Sequence, residues 1–209
     1  MSGNTNTVRK TARRQAVVDE IVAASWLLVR EHGLVGLSMR DLGDQVGMRA
    51  QSIYSYFDSK HAIYDAMFHQ GYLAFAEHME ASVGGHHALN DPTQIAKSTA
   101  HAFVDFCMSD PVRHQLLFQR TIPGFEPSAE SYAVALEVLD RLSLQLVDVG
   151  IVDNAGVDLW TAMLTGLANQ QISNDPGGDR WVRLVDRAVE VLLTESTKTS
   201  SISNTSSEA

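Results

Sequence analysis

Residues 46–60 read "VGMRAQSIYSYFDSK", a stretch with too few apolar side chains to bury a helix in the ordinary way. Val46, Met48, Ile53 and Phe57 are its apolar members, and two tyrosines lie between them. The remainder offers a guanidinium, an amide and several hydroxyls. Gly47 separates this segment from a short helix starting at Ser38, where Asp41 completes a box-like N-cap. A longer helix precedes both. Two short helices around a glycine turn describe a helix-turn-helix. The second helix of that motif enters the DNA major groove, so its outer face must carry donors and acceptors. Ile53 and Phe57, four residues apart, then point inward, and Met48 fills the turn. Arg49, Gln51, Ser52, Ser55 and Tyr56 are left outward. Arg suits guanine O6 and N7, Gln suits adenine N6 and N7, and small Ser permits close backbone approach. Tyr54, Tyr56 and Lys60 have the reach for phosphate oxygens, with Ser38 and Arg40 on the other side of the groove. The same pattern also suits a small three-helix packing unit with a polar surface.

The rest of the chain repeats apolar residues every three to four positions, the period of a helix. The first helix is expected from about Arg13 to His32, with Ile21, Ala24, Ser25, Leu28 and Val29 on one stripe and Gly33 as a left-handed stop. Asp58 and Ser59 cap a fourth helix reaching about Val83, and a loop from Gly84 to Asn90 carries His86 and His87. Asp91-Pro92 and Asp110-Pro111 each signal a helix start, the second helix ending near Thr121. "PGFEPS", residues 123–128, is a turn before a seventh helix with Tyr132, Leu136, Leu139, Ser143 and Leu146 aligned. An eighth is expected from about Ala155 to Ser173 and a ninth from about Asp179 to Glu195. The predicted fold is all-α, with three N-terminal helices and six more behind them. Its expected divisions are a flexible basic arm over 1–12, a helix-turn-helix domain over 13–59, a helical body over 60–195, and a polar tail over 196–209 too poor in apolar residues to order itself.

Net charge is −9, yet its distribution is uneven. Residues 1–60 hold eight Lys and Arg against six Asp and Glu, whereas 61–209 hold eight against nineteen. A mildly basic head on an acidic body can bring one end to a polyanion. The most apolar stretch, Ile21 to Val29, is about half the roughly 20 residues a spanning helix requires, so no membrane partner is expected. Cys107 is the single cysteine. It permits no intramolecular disulfide, and with no export signal at the start a cytoplasmic location is expected. Enzyme chemistry finds little footing. There is no Gly-x-Ser-x-Gly elbow and no His-Glu-x-x-His, so no catalytic residue, metal or cofactor is assigned. His61, His69 and His78 are eight and nine apart, not the four that chelation from one helix prefers.

"LSMRDLGDQVGMRAQSIYSYFDSK", residues 37–60, resembles the DNA-binding signature of the tetracycline-repressor (TetR) family, and "IVAASWLLVREHG", residues 21–33, resembles its first helix. The match covers about residues 14–66. It rests on Gly33, Leu37-Ser38-x-Arg40, Leu42, Gly47, Ile53-Tyr54, Phe57 and Ser59-Lys60 together. Two positions depart from the pattern. Gly43 stands where alanine is usual, at about 1 kcal/mol of helix propensity, and Asp58 replaces a neutral or basic residue.

The resemblance implies a homodimeric transcriptional regulator reading half-sites of a palindromic DNA operator, with a body that dimerises and senses a small hydrophobic effector. DNA contacts carry over to Ser38, Arg40, Arg49, Gln51, Ser52, Tyr54, Ser55, Tyr56 and Lys60, and Arg9, Lys10, Arg13 and Arg14 can add phosphate or minor-groove contacts. Residues available to line an effector pocket are Phe75, Phe103, Phe106, Leu117, Phe118, Phe125, Tyr132, Trp160 and Met163, with His101, Asn169 and Gln170 as polar anchors. The expected dimer face is Val157, Leu164, Leu167 and Gln171 with Trp181, Val185, Ala188 and Leu192, although these stripes equally suit the core of a single chain. A regulator without an effector, and a helical enzyme, are the alternatives.

Overall fold

Ser38 sets the pattern by which most helices here begin. Its Oγ accepts from the Asp41 amide at 3.1 Å and donates to the Asp41 carboxylate at 2.8 Å, satisfying an amide that the first turn leaves without a carbonyl. The computed structural model describes residues 2–84 and 91–205, with side chains over 7–82 and 91–195. Among the described residues every regular element is helical: α1 (Ser2–His32), α2 (Met39–Gln45), α3 (Ala50–Ile53), α4 (Lys60–Gly84), α5 (Pro92–Ser109), α6 (Pro111–Phe118), α7 (Ala129–Val147), α8 (Asn154–Asn174) and α9 (Val185–Thr205). Ser59, Asp91, Asp110, Ser128 and Asp153 cap α4 to α8 through amide bonds of 2.7–3.2 Å. The all-α expectation and its start signals therefore hold. The expected loop with His86 and His87 lies outside the described residues.

The chain divides into two compact units. The first takes the chain up to Gly71 together with Gln115–Tyr132. Its core joins Ile21, Trp26 and Val29 of α1 to Leu34, Leu37, Leu42, Ile53, Phe57 and the α4 side chains Ile63, Tyr64 and Met67. Ser25 is fully buried on the same stripe and returns its hydroxyl to the Ile21 carbonyl at 2.8 Å. Asp65 fastens the later segment to α4: its carboxylate accepts from the Ser128 amide at 2.6 Å and from the Ser128 and Ser131 hydroxyls, each at 2.9 Å. Phe125 packs beside His61, Tyr64 and Phe68, with ring centres 5.8–6.5 Å apart.

In the second unit, Tyr72–His114 with the chain from Ala133 on, α5, α8 and α9 pack pairwise. Here the structure departs from the sequence reading in its use of surfaces. Val157, Leu164, Gln171, Val185, Ala188 and Leu192, offered to a dimer partner, are buried within the chain itself, and Leu167 and Trp181 are half-buried. Gln171 shows why. Its Oε1 accepts from the Trp181 and Val182 amides at 2.8 and 3.3 Å, so α8 caps the approach to α9. That approach, expected to be α-helical from Asp179, is a 3₁₀ turn over Val182–Leu184. The outward face of α8 carries Leu159, Ala162, Gly166, Gln170 and Ser173 instead. On α7, Tyr132, Leu136 and Leu139 are 41–50 % exposed, while Ala135 and Leu146 are buried.

Three boundaries also differ. α1 starts at Ser2 rather than near Arg13, and α9 continues to Thr205 through residues expected to stay unordered. Neither extension contains proline, and adding a residue to an existing helix is far easier than nucleating one. α6 stops at Phe118, three residues before the expected end.

Candidate nucleic-acid interface

Gly33 has φ +75° and ψ 164°, an extended mirror-region geometry open essentially to glycine alone, rather than the expected left-handed helical stop. It turns the chain into a 3₁₀ segment, Leu34–Gly36, and on to the Ser38 cap. The Tyr64 hydroxyl of α4 donates to the Leu34 carbonyl, and burial pushes that phenol up to about 12, so it remains a neutral donor. Gly47, with φ +66°, follows Val46, the C-cap of α2. The Met48 amide reaches back to the Gly43 carbonyl at 2.8 Å, the six-to-one bond of a Schellman closure. A Cβ on Gly43 would stand 2.6 Å from the Met48 carbonyl oxygen and 3.1 Å from the Ala50 nitrogen. The departure from alanine thus has a local cause: this turn has no room for a methyl group.

Arg49 precedes α3 in extended conformation. Regular helix covers only Ala50–Ile53, and further turns carry it on, with the Tyr56 amide on the Ile53 carbonyl at 2.8 Å and the Phe57 amide on the same oxygen at 3.0 Å. Ile53 is fully buried and Phe57 nearly so. Arg49, Gln51, Ser52, Tyr54 and Ser55 are exposed, as is Arg40; Ser38, Tyr56 and Lys60 are half-buried. The nine expected DNA contacts therefore lie along one segment and its flanks, outward of an apolar anchor. Some already have partners. The Ser55 hydroxyl donates to the Ser52 carbonyl at 2.7 Å, and Lys60 Nζ donates to the Val35 carbonyl at 3.3 Å while lying 5.6 Å from the Tyr64 ring centre. A contact the sequence reading missed ties Arg14 of α1 to Ser55 and Tyr56; a separation of 41 residues leaves no local signal for it.

Residues 21–67 match the family model for bacterial regulatory proteins of the tetR family. The likeness to that family is carried by the head of the chain. A tetR-family head is a DNA-binding module of transcriptional regulators and not an enzyme. No curated protein matches the chain. Among solved structures, a protein of unknown function from Rhodococcus sp. RHA1 superposes with a TM-score of 0.70 at 18% identity, over 85% of this chain and 94% of that one. The regulator FadR from Bacillus subtilis, in complex with stearoyl-CoA, gives 0.62 at 17% identity over 83% and 96%. AibR, in complex with isovaleryl coenzyme A and operator DNA, gives 0.64 at 16% over 84% and 97%. At these identities the likeness is one of fold. No helix among the described residues is long and apolar enough to cross a membrane.

The residues expected to line an effector pocket are divided between the two units. In the second unit Phe75 lies 5.9 and 4.9 Å, centre to centre, from Phe103 and Phe106. The Arg113 guanidinium sits 3.9 Å from the Phe106 ring centre, and Trp160 and Met163 belong to α8. In the first unit Phe125 has the α4 partners given above. Leu117 and Phe118 end α6, with Leu117 against Gly71, and Tyr132 is half exposed. Among the expected anchors, His101 Nε2 is 2.8 Å from Asp186 Oδ1, and Gln170 accepts from Asn174 at 2.6 Å. Asn169 is 2.7 Å from Nε2 of His114, a 1 % exposed residue that the sequence reading did not single out. Burial lowers the His114 pKa and the Asn169 bond opposes that shift.

Proposed function

We propose that this chain is a cytoplasmic, dimeric, sequence-specific regulator, released from a palindromic operator by a small hydrophobic effector. The observation that carries the DNA half is the division of one short segment: Ile53 and Phe57 are buried while Arg49, Gln51, Ser52 and Ser55 face outward. Isolated as a packing unit, that segment would need none of those donors.

Two readings refine it. The dimer face is the outward side of α8, with Leu159, Ala162 and Gly166, joined by Val191 of α9; Leu159 is 57 % and Val191 48 % exposed. An added Cβ on Gly166 meets nothing within 4 Å, which suits close approach of a second helix. The effector is met in the second unit, where the Phe75, Phe103 and Phe106 cluster supplies apolar wall and the His114–Asn169 pair supplies polarity. Acyl thioesters, carried by FadR and AibR in their complexes, have this mix of apolar chain and polar head. A 100-fold loss of operator affinity on effector binding requires about 2.7 kcal/mol of coupling.

Selection of bound duplexes from a random pool tests the proposal. A recovered palindrome supports reader and symmetry together; recovery of no sequence preference rejects both. Titration with acyl thioesters against that duplex then tests the effector, and independent binding of the two ligands refutes it.

A further inference from the structure

Arg14 is held by the end of the recognition segment. Its Nη1 donates to the Ser55 carbonyl at 3.0 Å, and its guanidinium carbon lies 5.0 Å from the centre of the Tyr56 ring. The regular part of α3 is four residues long, so the carbonyls at its end have few intrahelical donors to meet. A cation there complements the helix C-terminus and the face of an aromatic ring at once. Arg14 comes from α1, whose Ile21, Trp26 and Val29 are anchored in the first unit's core, so the support reaches the recognition segment from a rigid element.

We propose that Arg14 is a positioning residue of the DNA-reading surface, bracing the last turn of the recognition segment and fixing the Tyr56 ring, rather than a phosphate contact of a basic arm. The proposal rests on the DNA-reading function above. It assigns different work to neighbouring cations. Arg14 is committed to Ser55 and Tyr56. Lys10, one helical turn earlier on the same face and exposed, is the cation that reaches a backbone phosphate beside that brace. The two roles separate by salt. Loss of a phosphate contact reduces the slope of log affinity against log salt by about 0.9. Loss of a brace lowers affinity alike at every salt concentration.

Hydrogen exchange on the free protein, and operator affinity across about 50–200 mM salt, test the assignment on Arg14→Ala, Arg14→Lys and Lys10→Ala. Arg14→Ala is expected to speed exchange of the Tyr56 and Phe57 amides while leaving α8 unchanged, and to weaken operator binding about tenfold with an unaltered slope, in keeping with one charged hydrogen bond. Arg14→Lys recovers little, because an ammonium lacks the flat face that lies over Tyr56. Lys10→Ala leaves exchange unchanged and lowers the slope. Unchanged exchange at Tyr56 and Phe57 in Arg14→Ala, or a slope that falls by one contact, overturns the proposal. If the wild-type chain binds no duplex, the DNA-reading function fails, and the exchange comparison alone decides the brace.

Discussion

Gly43 and Met48 approach so closely that a Cβ on the glycine would lie 2.6 Å from the Met48 carbonyl oxygen. Alanine in a helix interior ordinarily stabilises by about 1 kcal/mol over glycine. Here the obstacle is backbone, and overpacking of that kind costs about 1–3 kcal/mol. Gly43→Ala should therefore lower the unfolding midpoint in urea and weaken operator binding, since the displaced carbonyl lies at the entry to α3. A raised midpoint would mean that the turn relaxes without strain.

Arg49 and Gln51 are exposed on the segment that Ile53 anchors. Alanine at either position should cost about 1–3 kcal/mol of discrimination at one base pair, with thermal stability unchanged to about 0.5 kcal/mol. Competition between operator variants reads the first quantity and thermal melting the second. Uniform weakening across all sequences would reassign the residue to the phosphates.

Gln171 and Leu159 separate folding from association. Gln171→Ala leaves the Trp181 and Val182 amides without their acceptor and should cost about 1–3 kcal/mol of stability, without changing the dissociation constant of the proposed dimer. Leu159→Arg should do the reverse, and sedimentation against concentration distinguishes them. A dimer insensitive to Leu159→Arg would move the interface elsewhere.

His114 makes stability depend on pH. Burial holds its pKa below the ordinary 6.5, so below that pH the unfolded chain takes up a proton that the native chain resists. Its contribution is complete above about 6.5 and is lost as pH falls through the folded value. Urea unfolding at successive pH values should show the wild type losing stability below that point, and His114→Gln losing less of it. Parallel curves would exclude His114 as the cause.

Local rules carried much of the fold. Ser38, Ser59, Asp91 and Asp110 cap helices because each places an oxygen beside an amide within about one turn, a relation contained in a few consecutive residues. Ile53 and Phe57 were legible as anchors by their spacing alone, and the outward Arg49 and Gln51 followed from them. Periodicity was weaker on the body, because it finds an apolar face without saying what covers it. Tyr132, Leu136 and Leu139 form a clear stripe, yet they point outward.

Sequence by itself determined the helical class, the caps, the glycine turn at 47 and the side of the recognition segment that meets solvent, since all of these depend on neighbours within about one helical turn. Tertiary structure decided which stripes of α8 and α9 close the chain's own core, that Gln171 holds the approach to α9, and that Arg14 meets Tyr56. Those relations join residues ten to more than forty positions apart. Their partners are chosen by how preformed helices pack, and no local pattern encodes that choice.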